Sequence, residues 1–160
     1  MNLSTFTWIH VALSLVGLIS GLAVVIGLLA AKKLDGWTAL YLASAVATSA
    51  TGFGFPFERF GASHWISVVS LVVLAGAILA RYVFHLAGAW RWIYVVGVVV
   101  SLYLLVFVAI AQAFLKVPAL NALAPTQSEP PFAIAELGAM AVFVVLAIVA
   151  AKSFRVDAAR

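Results

Sequence analysis

The sequence predicts an all-α, polytopic membrane protein with five transmembrane helices in one bundle. Three observations predict it. Hydrophobic residues make up 66% of the chain and charged residues only 9%, against roughly a quarter charged in soluble domains, so no solvated surface can be assembled. Apolar runs of about 20 residues, the length needed to cross a hydrocarbon layer of roughly 30 Å, recur between short polar breaks. Lys and Arg stand singly or in pairs at the ends of those runs. Despite the net charge of +4, that placement describes membrane topology and not a nucleic-acid surface.

The 160 residues leave room for the spans and no extramembrane domain, so residues 1–160 are expected to form one helical-bundle domain. The chain has no cysteine, which excludes disulfides, thiolate metal sites and cysteine nucleophiles.

The first span is expected over about 6–31. It carries no charge, and it is too long for the apolar core of a secretion signal. His10, Ser14, Gly17 and Gly21 share one stripe of this helix, and the two glycines admit a close backbone neighbour, so the stripe should face protein. Lys32 to Gly36 make a tight turn. The second span, about 37–55, is the least apolar. Its Tyr41, Ser44, Thr48 and Thr51 also form a 3.6-period stripe, which places the helix inside the bundle. The bland alternative is that these hydroxyls bond their own backbone four residues back.

Gly52, Gly54 and Pro56 end that span, and Glu58 and Arg59 lie in the turn that follows. The third span, about 65–86, carries Arg81 near its end. Its long stem is expected to reach the nearer interface as a topology anchor. In the fourth span, about 92–115, Gly97, Ser101 and Gln112 lie close to one face, which would turn Gln112 into the bundle. A proline-rich connection follows, in which Pro118 to Leu123 can form a short interfacial helix led by proline. The fifth span is expected over about 132–151.

Five crossings put the termini on opposite sides. One side collects Lys32, Lys33, Arg81, Arg91, Lys152, Arg155 and Arg160, the other Arg59 and Lys116, so the N-terminus is expected outside. In a bacterial inner membrane this makes the N-terminus periplasmic and the C-terminus cytoplasmic. His10, Glu58, His64, Gln112 and Glu136 then fall at the outer end, with Tyr103 deeper on the fourth span.

Several readings compete for that cluster. A metal site would use His10 and His64 with Glu58 or Glu136, although no fixed-spacing ligand motif is present. Bis-histidine haem is disfavoured, because His64 stands at a helix start and not deep between helices. A quinone or lipid needs an apolar slot with a few convergent polar groups, which His10, Gln112, Tyr103 or Glu136 could supply. Transport has little support, since no half of the chain repeats and no charge lies at mid-membrane. The leading expectation is a non-enzymatic bundle or accessory subunit that binds the phospholipid bilayer, a membrane-protein partner or a second copy of itself.

The segments His10-Val-Ala-Leu-Ser-Leu-Val-Gly-Leu-Ile-Ser-Gly, Lys32-Lys-Leu-Asp-Gly-Trp and Thr48-Ser-Ala-Thr-Gly-Phe resemble small bacterial inner-membrane proteins of uncharacterised, domain-of-unknown-function families with four to five helices. Members of those families open with a histidine and spaced glycines. The resemblance covers most of the chain and implies a fold and a location, but no chemistry. The basic, histidine-containing loop that often follows the first helix in such families is here only Lys32-Lys33-Leu34-Asp35.

Overall fold

In the computed structural model, which describes residues 3–55 and 61–155, every regular element is helical. Helix α1 spans Leu3–Leu29, α2 Asp35–Gly52, α3 Ala62–Ile78, α4 Trp90–Lys116, α5 Pro118–Leu123 and α6 Pro130–Ser153. The last turns of α3 widen into a π-helical segment over Leu79–Val83. Among the described residues, four helices are long and apolar enough to cross a membrane, namely α1, α3 continued through the π segment, α4 and α6. Helix α2, 18 residues or about 27 Å long, falls outside that group because its hydroxyls lower its apolarity. Those hydroxyls are enclosed: Thr38, Tyr41, Ser44, Thr48 and Ser49 are all buried.

The five long helices alternate in direction. Along α1 and α2, His10 meets Thr51, Gly17 faces Ser44, and Gly21 faces Tyr41. Ser49 bonds Ser70 of α3, and Gly97 of α4 lies against Ala77 of α3. Phe114 and Tyr103 of α4 meet Phe132 and Phe143 of α6. Each pairing is antiparallel, as the short connections between α1, α2, α3 and α4 require.

The glycines of the α1 stripe explain how closely α1 approaches its neighbours. A Cβ on Gly21 would lie 2.6 Å from Leu102 Cδ1 and 2.8 Å from the Tyr41 ring, and one on Gly17 would lie 3.2 Å from Leu105 Cδ1. Gly97 is similar, its Cβ meeting that of Ala77 at 3.1 Å. Only at such positions can backbones approach this closely. Of the hydroxyls, Ser14 bonds the His10 carbonyl and Ser44 those of Leu40 and Tyr41, within their own helices. Ser101 instead joins helices, through Tyr41 Oη at 2.6 Å.

Packing is uneven along the bundle axis. Val24, Val25, Leu28, Tyr41, Tyr94, Val95, Val98 and Leu102 form a closed core in the half that ends at the α1–α2 turn. Toward His10 the helices are less enclosed, and among its described side chains α1 buries none before Gly17. Gln112 is exposed there, which corrects the expectation that it follows Gly97 inward. The same face of α4 loses its packing partners two turns beyond the closed core.

Arg81 is the second correction. It does not reach outward; its side chain is 7% exposed, and it pairs with Asp35, the first residue of α2. Its Nη1 donates to Tyr94 Oη and its Nη2 to the Lys33 carbonyl, both at 3.2 Å. The π segment accounts for the change, since an extra residue in the turn shifts the direction of the side chains it carries. The chain then leaves the helix through His85 and Leu86, both with positive φ.

Candidate functional site at the His10 end

The site is built around the C-terminal turn of α2. His10 of α1 makes a 2.8 Å bond through Nδ1 to Thr51 Oγ1. The Thr51 hydroxyl donates its proton to the Ala47 carbonyl at 2.7 Å. His10 is therefore the donor through Nδ1–H, and its Nε2 is left as an acceptor. Phe55 packs edge-on against the His10 ring with centroids 5.0 Å apart.

Two residues earlier on the same turn, Phe53 lies 5.9 Å from the ring of His64. His64 is buried at the third position of α3, where its Nδ1 accepts the Gly61 N–H at 3.2 Å. This imidazole caps a helix start, satisfying a backbone donor that the first turn cannot. The two histidines thus stand at one end of the bundle, on neighbouring aromatics. Trp8 and Trp65 are exposed at that end as well, where amphipathic rings meet headgroups.

Glu136 comes to the same level from α6. Since Phe114 meets Phe132 and Tyr103 meets Phe143, Glu136 lies opposite the turn of α4 around Ile110. The pairing of Gly17 with Leu105 and of Gly21 with Leu102 places that turn beside the part of α1 just after His10. Helix α6 buries only three residues, and two of them, Ala150 and Ala151, are at its far end. The third is Glu136, at 7% exposure. Neither of its carboxyl oxygens has a hydrogen-bond partner among the described residues, and the same holds for the buried hydroxyl of Thr48, which lies between the levels of Gly17 and His10. Buried polar atoms are paired in the great majority of cases, so two orphans at one level are a feature to be explained.

The other candidates divide. Glu58 lies outside the described residues. Gln112 is exposed, as noted above. Among the described residues no group of three or more His, Asp or Glu is placed to hold a metal ion, so His10, His64 and Glu136 share an end of the bundle but not a ligand shell. The sequence reading missed the Arg81–Asp35–Tyr94 cluster at the opposite end. The one available signal there was that Asp35 at the start of the second span and Arg81 near the end of the third, 46 residues apart, fall at the same end of antiparallel spans.

These residues can offer an acceptor nitrogen on His10, a carboxyl group on Glu136 and a hydroxyl on Thr48, in the looser half of the bundle. That combination suits hydrogen bonding to the polar head of an otherwise apolar molecule. No protein-family model matches the chain, and no curated protein or solved structure matches it either.

Proposed function

We propose that this protein is a non-enzymatic binding protein of the bacterial inner membrane. In this reading its periplasmic half holds an amphipathic, membrane-soluble ligand, a quinone or a lipid with a hydrogen-bonding head. The observation that carries the reading is the burial of the Glu136 carboxyl with no partner for either oxygen. An ionisable group inside a span is costly, and such groups ordinarily face a partner, a cavity or a ligand. His10, with Nε2 as acceptor, and Thr48 supply further polar contacts in the half of the bundle where fewer side chains are buried. The Lys and Arg distribution supports a periplasmic N-terminus and a cytoplasmic C-terminus.

The test is to purify the chain in mild detergent, extract it with organic solvent and identify what it retains. Wild type should carry a stoichiometric quinone or lipid, and Glu136→Gln and His10→Ala should each lose it. A retained quinone and a retained phospholipid distinguish the two ligand classes. Equal retention by wild type and both variants, or none by any, would overturn the proposal.

One observation favours a second role as an accessory subunit. Helix α6 exposes Ile134, Leu137, Val142, Val145 and Ile148 along most of its length, a face on which a partner span or a second copy could rest.

A further inference from the structure

At the opposite end of the bundle from Glu136, α3 and α4 leave a groove of about 430 Å³ between them, open sideways. Val72, Val73 and Gly76 line it from α3, and Trp92, Ile93 and Val96 from α4. Gly76 is not required there by helix packing. A Cβ on it would meet only Ile93 Cγ2, at 3.9 Å, whereas one on Gly97 would press on Ala77 at 3.1 Å. The missing side chain therefore opens the floor of the groove and does not draw the helices together.

The groove runs along α4 from Trp92 to Val100, eight residues or about 12 Å. That is close to half of a hydrocarbon layer of roughly 30 Å, so it starts at one interface and stops near the middle. A neighbouring transmembrane helix would call for a groove through the full thickness, while an acyl chain of one leaflet needs only half. The Arg91 guanidinium lies over the ring of Trp92, a residue that lines the groove, 4.5 Å from its centre. Arg91 uses Nη1 to bond the carbonyls of Ala151 and Phe154, leaving the rest of a planar fork suited to phosphate. Lys32, Lys33, Lys152 and Arg155 stand at the same end of the sequence-defined topology, so the local field favours a negative headgroup.

We propose that this groove seats one acyl chain of an anionic phospholipid from the basic-end leaflet, with its phosphate on Arg91. The site is separate from the Glu136 site and stands or falls independently of it.

Native mass spectrometry of the delipidated chain, offered phosphatidylglycerol and phosphatidylcholine with identical acyl chains, reads lipid and oligomer together. Wild type should retain one phosphatidylglycerol with about fivefold preference, the scale of one cation near a headgroup. Gly76→Leu fills the floor where there is space for it, and should reduce retention of both lipids. Arg91→Gln should remove the preference. Undiminished phosphatidylglycerol on Gly76→Leu, or no preference in wild type, would overturn the proposal. So would a dimer that Gly76→Leu dissociates, since the groove would then belong to a second copy.

Discussion

The pair formed by Arg81 and Asp35 makes an asymmetric prediction. Arg81 is 7% exposed and Asp35 85%, so removing either partner breaks the same bond but strands a different group. Asp35→Ala leaves a buried guanidinium without a counter-charge. Breaking a buried pair in this way costs about 3–5 kcal/mol. Here the cost should be reduced to about 2–4 kcal/mol, because the Lys33 carbonyl and Tyr94 Oη remain as neutral acceptors at 3.2 Å. Arg81→Met instead leaves Asp35 in water and removes the buried charge. Both acceptors keep a partner in Thr38 Oγ1, which lies 3.4 Å from the Lys33 carbonyl and 3.3 Å from Tyr94 Oη. Its cost should be about 1 kcal/mol, one net hydrogen bond. Asp35 also sits in the first turn of α2, where a carboxylate gains about 0.3–1 kcal/mol from the helix dipole. Asp35→Ala made in the Arg81→Met background measures that share, which completes a double-mutant cycle. Reversible unfolding of the detergent-solubilised chain in sodium dodecyl sulfate gives the four stabilities. Arg81→Met as costly as Asp35→Ala, or a cycle with no coupling, would refute the reasoning.

Other outcomes follow from the packing, the topology and the long loop. In the same unfolding assay Gly21→Ala should cost about 1–3 kcal/mol through overpacking against Leu102 and Tyr41. Gly138→Ala, whose Cβ would meet nothing within 4 Å, should be neutral or slightly stabilising, and equal effects would contradict the assigned packing. An alkaline-phosphatase fusion after Glu58 should be active and one after Asp35 inactive, because the enzyme folds only outside the cytoplasm; the reverse would invert the topology. In the loop before α6, the Thr126 hydroxyl donates to Glu129 Oε1 at 2.8 Å and holds that carboxyl below its ordinary value. A carboxyl lowered in this way gains its stabilising bond above the unfolded value and loses it as pH falls through the folded one. Thr126→Val should move the Glu129 titration, followed by NMR, up toward the ordinary 4.5; an unmoved titration would remove the hydroxyl as its cause.

Much of this architecture can be read from the sequence because two of its signals are strictly local. Apolar run length defines a span whatever it packs against, and Gly17, Gly21, Gly97 and Ser101 repeat at helical spacing, so their shared face survives folding. The short helix at Pro118 likewise begins where a proline can occupy the first turn. What was not legible depends on neighbours. Gln112 falls on the same helical face as Ser101, but the helices that enclose Ser101 do not enclose Gln112. Arg81 turns inward because a π segment redirects it and acceptors from α4 and the α1–α2 turn are waiting, neither of which periodicity reveals. The position of Glu136 at the same end of the bundle as His10 was readable, yet its burial without a partner depends on how α6 lies against α4. His64 was expected at a helix start, and its use of Nδ1 as a cap on Gly61 is a detail that only the turn geometry supplies.

The claim at the centre of this account is that a ligand completes the unmet hydrogen bonding of Glu136. Infrared difference spectroscopy reads it directly, with the Glu136 band assigned by its loss in Glu136→Gln. Adding a short-chain quinone or a short-chain phospholipid to the ligand-free protein should shift that band in wild type for one of the two, and leave the Glu136→Gln spectrum without the change. A Glu136 band that neither compound moves, with binding of either one still measurable, would contradict the account.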